Sequence, residues 1–187
     1  MERNSGVTLI ELMATLAIAV ILIGATAPGL GSLIKDIRLS TLTNEFIGAL
    51  QLTRSHALRS QHPAVLCKAP SGMACDEAAH WDQGWMAFED RNGDGGCADT
   101  DGDSICDDDG GRIFLVRNGL PADLRMRANG LQAVKRIRFD SLGSAAGYMS
   151  TFTLCDNRGP AYARSIRIAI TGRAQALPGD SGIGCRP

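Results

Sequence analysis

Ser5-Gly6-Val7-Thr8-Leu9-Ile10-Glu11-Leu12-Met13 opens the apolar run on which the reading of this chain turns. From Val7 to Ala27 the run is 21 residues, long enough to cross a bilayer as a helix. Glu11 is its single charged residue. A carboxylate at such a place costs roughly 3 kcal/mol or more to insert, so it marks function. A cleaved secretory signal would also show a basic residue, Arg3, and a small-residue site, Ala25-Thr26-Ala27. That reading would put Pro28 first in the mature chain, break the apolar region at Glu11 and rest the basic region on one arginine. A plain membrane anchor leaves Glu11 unexplained. Just beyond, Gly24, Pro28, Gly29 and Gly31 weaken the helix. Pro28 lacks an N–H and clashes with the preceding turn, at about 3 kcal/mol in a helix interior, so a kink or local melting is expected there.

Outward from this run, residues 34–60 read as an amphipathic helix. Leu39, Leu42, Phe46, Ala49, Leu50, Thr53 and Ala57 recur at i, i+3, i+4 spacing. His56 lies on this helix and His62 just past it, before Pro63, where both are expected to be solvated or capping rather than metal ligands. Short strands separated by Gly, Asn and Asp turns follow, at about 64–67, 84–89, 112–117, 123–127, 135–140, 151–155 and 165–171. In the last, Ile166, Ile168 and Ile170 alternate with Arg167. The fold class is α+β: a long N-terminal helix, membrane-spanning then amphipathic, packed on an antiparallel β-sheet head. At 187 residues the chain has room for one head and no second core. The expected division is 1–6, 7–34 and a head at 35–187 with an acidic insertion at 90–109.

Ser5 to Met13 resembles the prepilin signature shared by type IV pilins and type II secretion pseudopilins, with Val7 in place of the usual Phe. Three further blocks resemble the GspH/FimT/FimU group of minor pilins and pseudopilins. They are Leu52-Thr53-Arg54-Ser55-His56-Ala57-Leu58-Arg59, the run from Trp81 through Gly84-Trp85-Met86-Ala87-Phe88-Glu89-Asp90 to Gly95, and Thr171-Gly172-Arg173. Trp85 and Phe88 are equally expected as core residues of the sheet. The resemblance implies a pilin-like fold, cleavage after Gly6 by a prepilin peptidase and N-methylation of Val7. It also implies a single pass through the inner membrane with a periplasmic head, then assembly with other minor pilins or pseudopilins and the major pilin. In a filament core each new α-amino group arrives at the depth of a neighbour's Glu11, and a charge pair in low dielectric sets axial register between subunits. The function implied is a minor pilin that primes a type IV pilus or sits at its tip; the alternative is a minor pseudopilin of a type II secretion system.

Charge is segregated along the chain. Residues 1–75 hold six basic and four acidic side chains, 76–109 one and twelve, and 112–187 twelve and four. Asp90-Arg91-Asn92-Gly93-Asp94-Gly95 matches the first half of a calcium loop, and Asp99, Asp101 and Asp103 repeat the alternation, followed by Asp107, Asp108 and Asp109. With Cys97 and Cys106 around it, this stretch resembles thrombospondin-type calcium repeats. Neither run has a Glu at its twelfth position. The candidate calcium ligands are Asp90, Asn92, Asp94, Asp99, Asp101 and Asp103; the competing reading is a solvated acidic loop rich in turn chemistry.

Six cysteines without any C-x-x-C fit disulfides in an oxidising compartment. The two close pairs suggest Cys67–Cys75 and Cys97–Cys106, which leaves Cys155 with Cys185. No nucleophile–base arrangement or phosphate loop is legible, so no enzyme is expected. A rival reading is nucleic-acid binding, because some FimT-like pilins receive DNA. Arg158, Arg164, Arg167, Arg173 and Arg186 fall in the basic part, although Gly172-Arg173-Ala174-Gln175 lacks the second arginine of that group's Gly-Arg-x-Arg tail.

Overall fold

The computed structural model describes residues 7–179, with backbone alone for residues 25–29. Gly6, Cys185 and Arg186 lie outside the described residues. The chain divides into two compact units, one ending at Arg38 and one beginning at Leu39. Leu39 is the first buried side chain among the described residues.

In the first unit, helix α1 (Leu9–Ser60, continuing into the second) starts as a capped helix. Thr8 Oγ1 accepts the Glu11 N–H at 3.4 Å, the bond a Ser/Thr-x-x-Glu start makes, and Glu11 falls in the first turn, where the helix dipole favours an acid. From Val7 to Ile23 the large apolar side chains are 55–81% exposed. Among the described residues no helix is long and apolar enough to cross a membrane. Helical backbone continues through Gly24, Pro28, Gly29 and Gly31, so the local melting expected at Pro28 does not occur. Loss of one N–H is tolerated because the turns on either side keep their own bonds.

In the second unit α1 buries Leu39, Leu42, Phe46, Ala49, Leu50, Thr53 and Ala57, and also Thr43. The two threonines satisfy their hydroxyls within the helix: Thr43 Oγ1 donates to Leu39 O at 2.7 Å and Thr53 Oγ1 to Ala49 O at 2.8 Å. Among the described residues eight strands follow: β1 (Ala64–Lys68), β2 (Gly84–Glu89), β3 (Ile113–Asn118), β4 (Arg125–Ala128), β5 (Arg136–Phe139), β6 (Ser150–Cys155), β7 (Arg164–Ile168) and β8 (Ala174–Pro178). They form two antiparallel sheets, ordered β3-β2-β1-β5 and β4-β6-β7-β8, where one sheet was expected. β8 went unread because Ala-Gln-Ala-Leu-Pro has weak strand propensity. Ile170 is in the β7–β8 turn, closed by Gly172 N–H to Ala169 O, and is 53% exposed rather than facing the core.

Phe46 stands between the sheets. Its ring meets Trp85 at 5.1 Å and Trp81 at 5.7 Å, both edge-on, and Phe152 of β6 at 4.8 Å. Trp81, in the short 3-10 turn Trp81–Gln83, gives its Nε1–H to Ala133 O at 2.9 Å. β1 and β2 are buried at every position. Leu66, Trp85 and Ala87 join the helix-side core, whereas Val65, Cys67, Met86, Phe88 and Ile113 form a second core with Cys97 and Cys106. The acidic insertion is therefore a cover over the outer face of the first sheet.

Phe46→Ala should cost about 3–5 kcal/mol, because it removes a fully buried ring that three other rings enclose. Denaturant unfolding of the two proteins measures this; a loss under about 1 kcal/mol would contradict the central place given to Phe46.

Candidate functional site

At the N-terminus the structure shows Val7 and Glu11 exposed. Among the described residues the Glu11 carboxylate makes no ion pair or hydrogen bond.

The two acidic loops differ in how their charge is met. In the first, Asp90 is fully buried; its Oδ1 accepts N–H groups from Gly93 at 2.9 Å and Gly95 at 3.3 Å. Its Oδ2 makes no hydrogen bond and faces Arg138 Nε at 3.4 Å. Burial pushes the Asp90 carboxyl above the ordinary carboxylate range, against the pull of the Gly95 N–H and of Arg138. Arg136 and Arg138 of β5 also donate to the carbonyls of Asp94 and Gly93. Asn92 Nδ2 donates to Asp94 at 3.0 Å and to Asp108 at 3.1 Å. Asp109 Oδ2 accepts the N–H groups of Arg91 and Asn92. The first loop is thus stitched to the sheet by arginines, and Asp90, Asn92 and Asp94 are occupied by the chain's own donors.

In the second loop Asp99 Oδ1 accepts from Gly102 N–H at 2.7 Å and Oδ2 from Ser104 N–H at 3.0 Å. Asp107 Oδ2 accepts from the Thr100 hydroxyl at 2.7 Å. Asp99, Asp101 and Asp107 each bring an oxygen within 4.8 Å of the others, and no basic side chain pairs with them among the described residues. Asp107 takes the place that the sequence reading gave to Asp103, whose Oδ1 accepts the Ile105 N–H.

The arginines of the basic part do not form one strip. Alternation along β7 puts Arg164 on the face of Ile166 and Ile168, beside Ser40, Thr43 and Asn44, and Arg167 on the opposite face. Arg173 is exposed in the turn beyond β7, and Arg158 pairs with Asp156 at 2.7 Å. Disulfides join Cys67 to Cys75 and Cys97 to Cys106, and Cys155 is disulfide-bonded as well.

His56 is half-buried rather than fully solvated. Its ring stacks on Phe114 at 4.0 Å, its Nδ1 is buried without a partner, and burial lowers its pKa. His62 Nδ1 sits 2.9 Å from Ser60 O and 3.5 Å from Glu89, near the helix end. Two further groups escaped the sequence reading. Lys68 is buried in β1, with Nζ donating to the carbonyls of Glu77 and Ala79, and desolvation lowers its pKa. Arg54 Nε donates to Gly143 O at 2.8 Å. A Cβ on Gly172 would come 2.2 Å from that same oxygen, so Gly172, at φ +76°, admits only hydrogen there. Arg54 and Gly172 come from two of the sequence blocks quoted above, and neither signals the meeting locally.

A capped apolar helix carrying a lone acid near its start, with its second half packed on an antiparallel head, defines a pilin-like subunit. The model of the family described as type II transport protein GspH matches residues 42–172, and that of the prokaryotic N-terminal methylation motif matches residues 1–27. The chain belongs to the GspH family. Its fold is similar to crystal structures of the type IV minor pilin FimU of Pseudomonas aeruginosa PAO1. One has TM-score 0.58, 18% identity and coverage of 81% of this chain and 98% of that one; the other has 0.56, 18%, 79% and 100%. The minor pseudopilin EpsH from the type 2 secretion system of Vibrio cholerae aligns at TM-score 0.48 and 9% identity, over 75% and 96% of the two chains. No curated protein sequence matches the chain.

Arg138→Ala should destabilise the head by about 2–3 kcal/mol at neutral pH, the low end for breaking a buried pair because Arg138 is 30% exposed. With its partner gone, the Asp90 carboxyl rises further above its ordinary range. The penalty is then full above the raised pKa and shrinks as pH falls through it, where protonation removes the unpaired charge. Melting temperatures of the two proteins should converge between about pH 7 and pH 4; a constant gap would contradict the pairing.

Proposed function

We propose that the chain is a structural, non-catalytic filament subunit, a minor pilin that primes a type IV pilus or sits at its tip. On this reading it is cut after Gly6, methylated on Val7, and held in the inner membrane by residues 7–27 with the head in the periplasm until assembly. The observation that carries it is the first part of α1, whose large apolar side chains from Val7 to Ile23 are all exposed around one carboxylate, Glu11. Leaving each such side chain in water forgoes about 1.5–3 kcal/mol, so these residues belong in lipid or among other helices. A minor pseudopilin of a type II secretion system would use the same helix in the same way, and membership of the type II transport protein GspH family favours it. The FimU fold favours the pilus.

Mass spectrometry of the mature protein should find methylated Val7 at the N-terminus; a chain beginning at Pro28 would end the filament reading. Glu11→Ala should leave cleavage intact and reduce incorporation into filaments at least tenfold, which immunoblotting of sheared filaments measures.

We further propose that the second acidic loop takes calcium through Asp99, Asp101 and Asp107. What supports this is their three convergent oxygens, in a loop where no arginine neutralises them. Millimolar calcium should raise the melting temperature of the full chain in detergent, EDTA should reverse the rise, and Asp101→Asn should abolish it. No shift in the unsubstituted protein would reduce the loop to an acidic surface.

A further inference from the structure

The two sheets of the head end in four edge strands, and three of them are blunted against adding another strand. β4 and β5 are four residues each and carry arginines in alternation, Arg125 and Arg127 on one, Arg136 and Arg138 on the other. β8 ends in Pro178. β3 differs. Its six residues, Ile113-Phe114-Leu115-Val116-Arg117-Asn118, include four consecutive apolar side chains and neither Pro nor Gly. β2 pairs with one side of it. On the other side the Ile113 N–H donates to Ser104 O at 2.9 Å, and no further backbone partner meets that edge among the described residues. Beside it runs an open groove of about 880 Å³ lined by Ile105, Leu115 and Val116, with Arg91, Arg112 and Asp103 also on its walls, the Asp103 carboxylate accepting the Ile105 N–H at 2.8 Å. Val116 is 49% exposed.

The charges on this edge select its occupant. Arg91 is paired with Glu89 at 3.0 Å and Arg117 with Glu45 at 2.9 Å. Arg112 is exposed, and its side chain has no hydrogen bond or ion pair among the described residues. Residues 112–118 hold no acid, so antiparallel pairing of this stretch with its own copy sets no carboxylate opposite Arg112. The register centred between Phe114 and Leu115 would set Arg112 against Arg117, where like charges destabilise a ladder. We propose that β3 is a docking edge that receives an extended strand from a different subunit of the filament, with an apolar side chain over Val116 and a carboxylate opposite Arg112. Main-chain bonds supply the affinity of such strand addition and the alternate side chains its specificity. The proposal rests on the filament reading above.

A photo-cross-linking residue at Val116, in the full-length chain expressed in cells that assemble filaments, should give one adduct. The attached protein should be another kind of filament subunit, joined within an extended segment that carries Asp or Glu. Arg112→Glu should lower the yield at least tenfold while Arg112→Lys retains it, both at an unchanged melting temperature, and the same probe at Gln175 on β8 should give none. An adduct with a second copy, a yield indifferent to Arg112→Glu, or no adduct from a chain present in filaments overturns the proposal alone. Absence of the unsubstituted chain from filaments overturns it together with the filament reading.

Discussion

The head is organised by the packing of one ring, Phe46, against Trp85 of the first sheet and Phe152 of the second. Each sheet contributes a large aromatic to the same helical turn, so neither can slide along α1 without opening a void, and close-packed interiors do not tolerate voids of that size. Trp81 closes the cluster from the β1–β2 connection, and its indole N–H fixes the chain before β5 through Ala133 O. The stripe on α1 is therefore a template for two sheets at once. This is why it is wide, taking in Thr43 and Thr53 with hydroxyls returned to the helix's own carbonyls.

Much of this was legible because it is periodic. The helix stripe repeats every three to four residues, and every side chain assigned to it is buried. β1, β2 and β6 are short apolar runs between turn residues, and their observed bounds fall within a residue of the expected ones. What was not legible depends on pairing across long separations. Local alternation gives each strand a face but no neighbour, so a split into two sheets carries no signature within any one strand. His56 reads as a polar residue on a helix, and only its stacking partner Phe114, far along the chain, turns it into a half-buried ring. Lys68 reads as the polar end of a strand until the carbonyls of Glu77 and Ala79 come round to take its ammonium. Gly172 reads as a turn glycine, whereas the closeness of Gly143 O explains its lack of a side chain equally well.

Charge segregation in the sequence has two separate causes in the structure. Part of the acidic excess of residues 76–109 meets part of the basic excess of 112–187 directly, through Glu77 with Lys135 and Arg136, Asp82 with Arg127, and Asp90 with Arg138. The Glu77 and Asp90 pairs fasten the cover over the first sheet, where both short-range disulfides also lie, and the Asp82 pair ties the Trp81 turn to β4 of the second. The acids from Asp99 to Asp109 are held by backbone N–H groups, and Asp108 by the Asn92 side-chain amide, which orient the carboxylates without neutralising them. One stretch of sequence thus does two things: its first half is structural, and its second half keeps an uncompensated negative field.

The two units solve opposite problems with one helix. From Leu39 on, the large apolar side chains on one face of α1 are buried against the sheets, and the residues between them are mostly polar, with Leu52 and Leu58 the exposed exceptions. From Val7 to Ile23 the apolar side chains go all round the helix, a pattern that no single sheet can cover, since a sheet reaches one face only. Such a segment is satisfied only by surroundings that are apolar on every side, which are lipid or a bundle of like helices. In either setting Glu11 is the one charged group that the segment carries into apolar surroundings. Lipid offers it no partner, whereas on the proposed filament reading a bundle of like helices brings a neighbour's amino group to its depth. The carboxylate therefore distinguishes between the two settings in which the helix is stable, and it favours the assembled one.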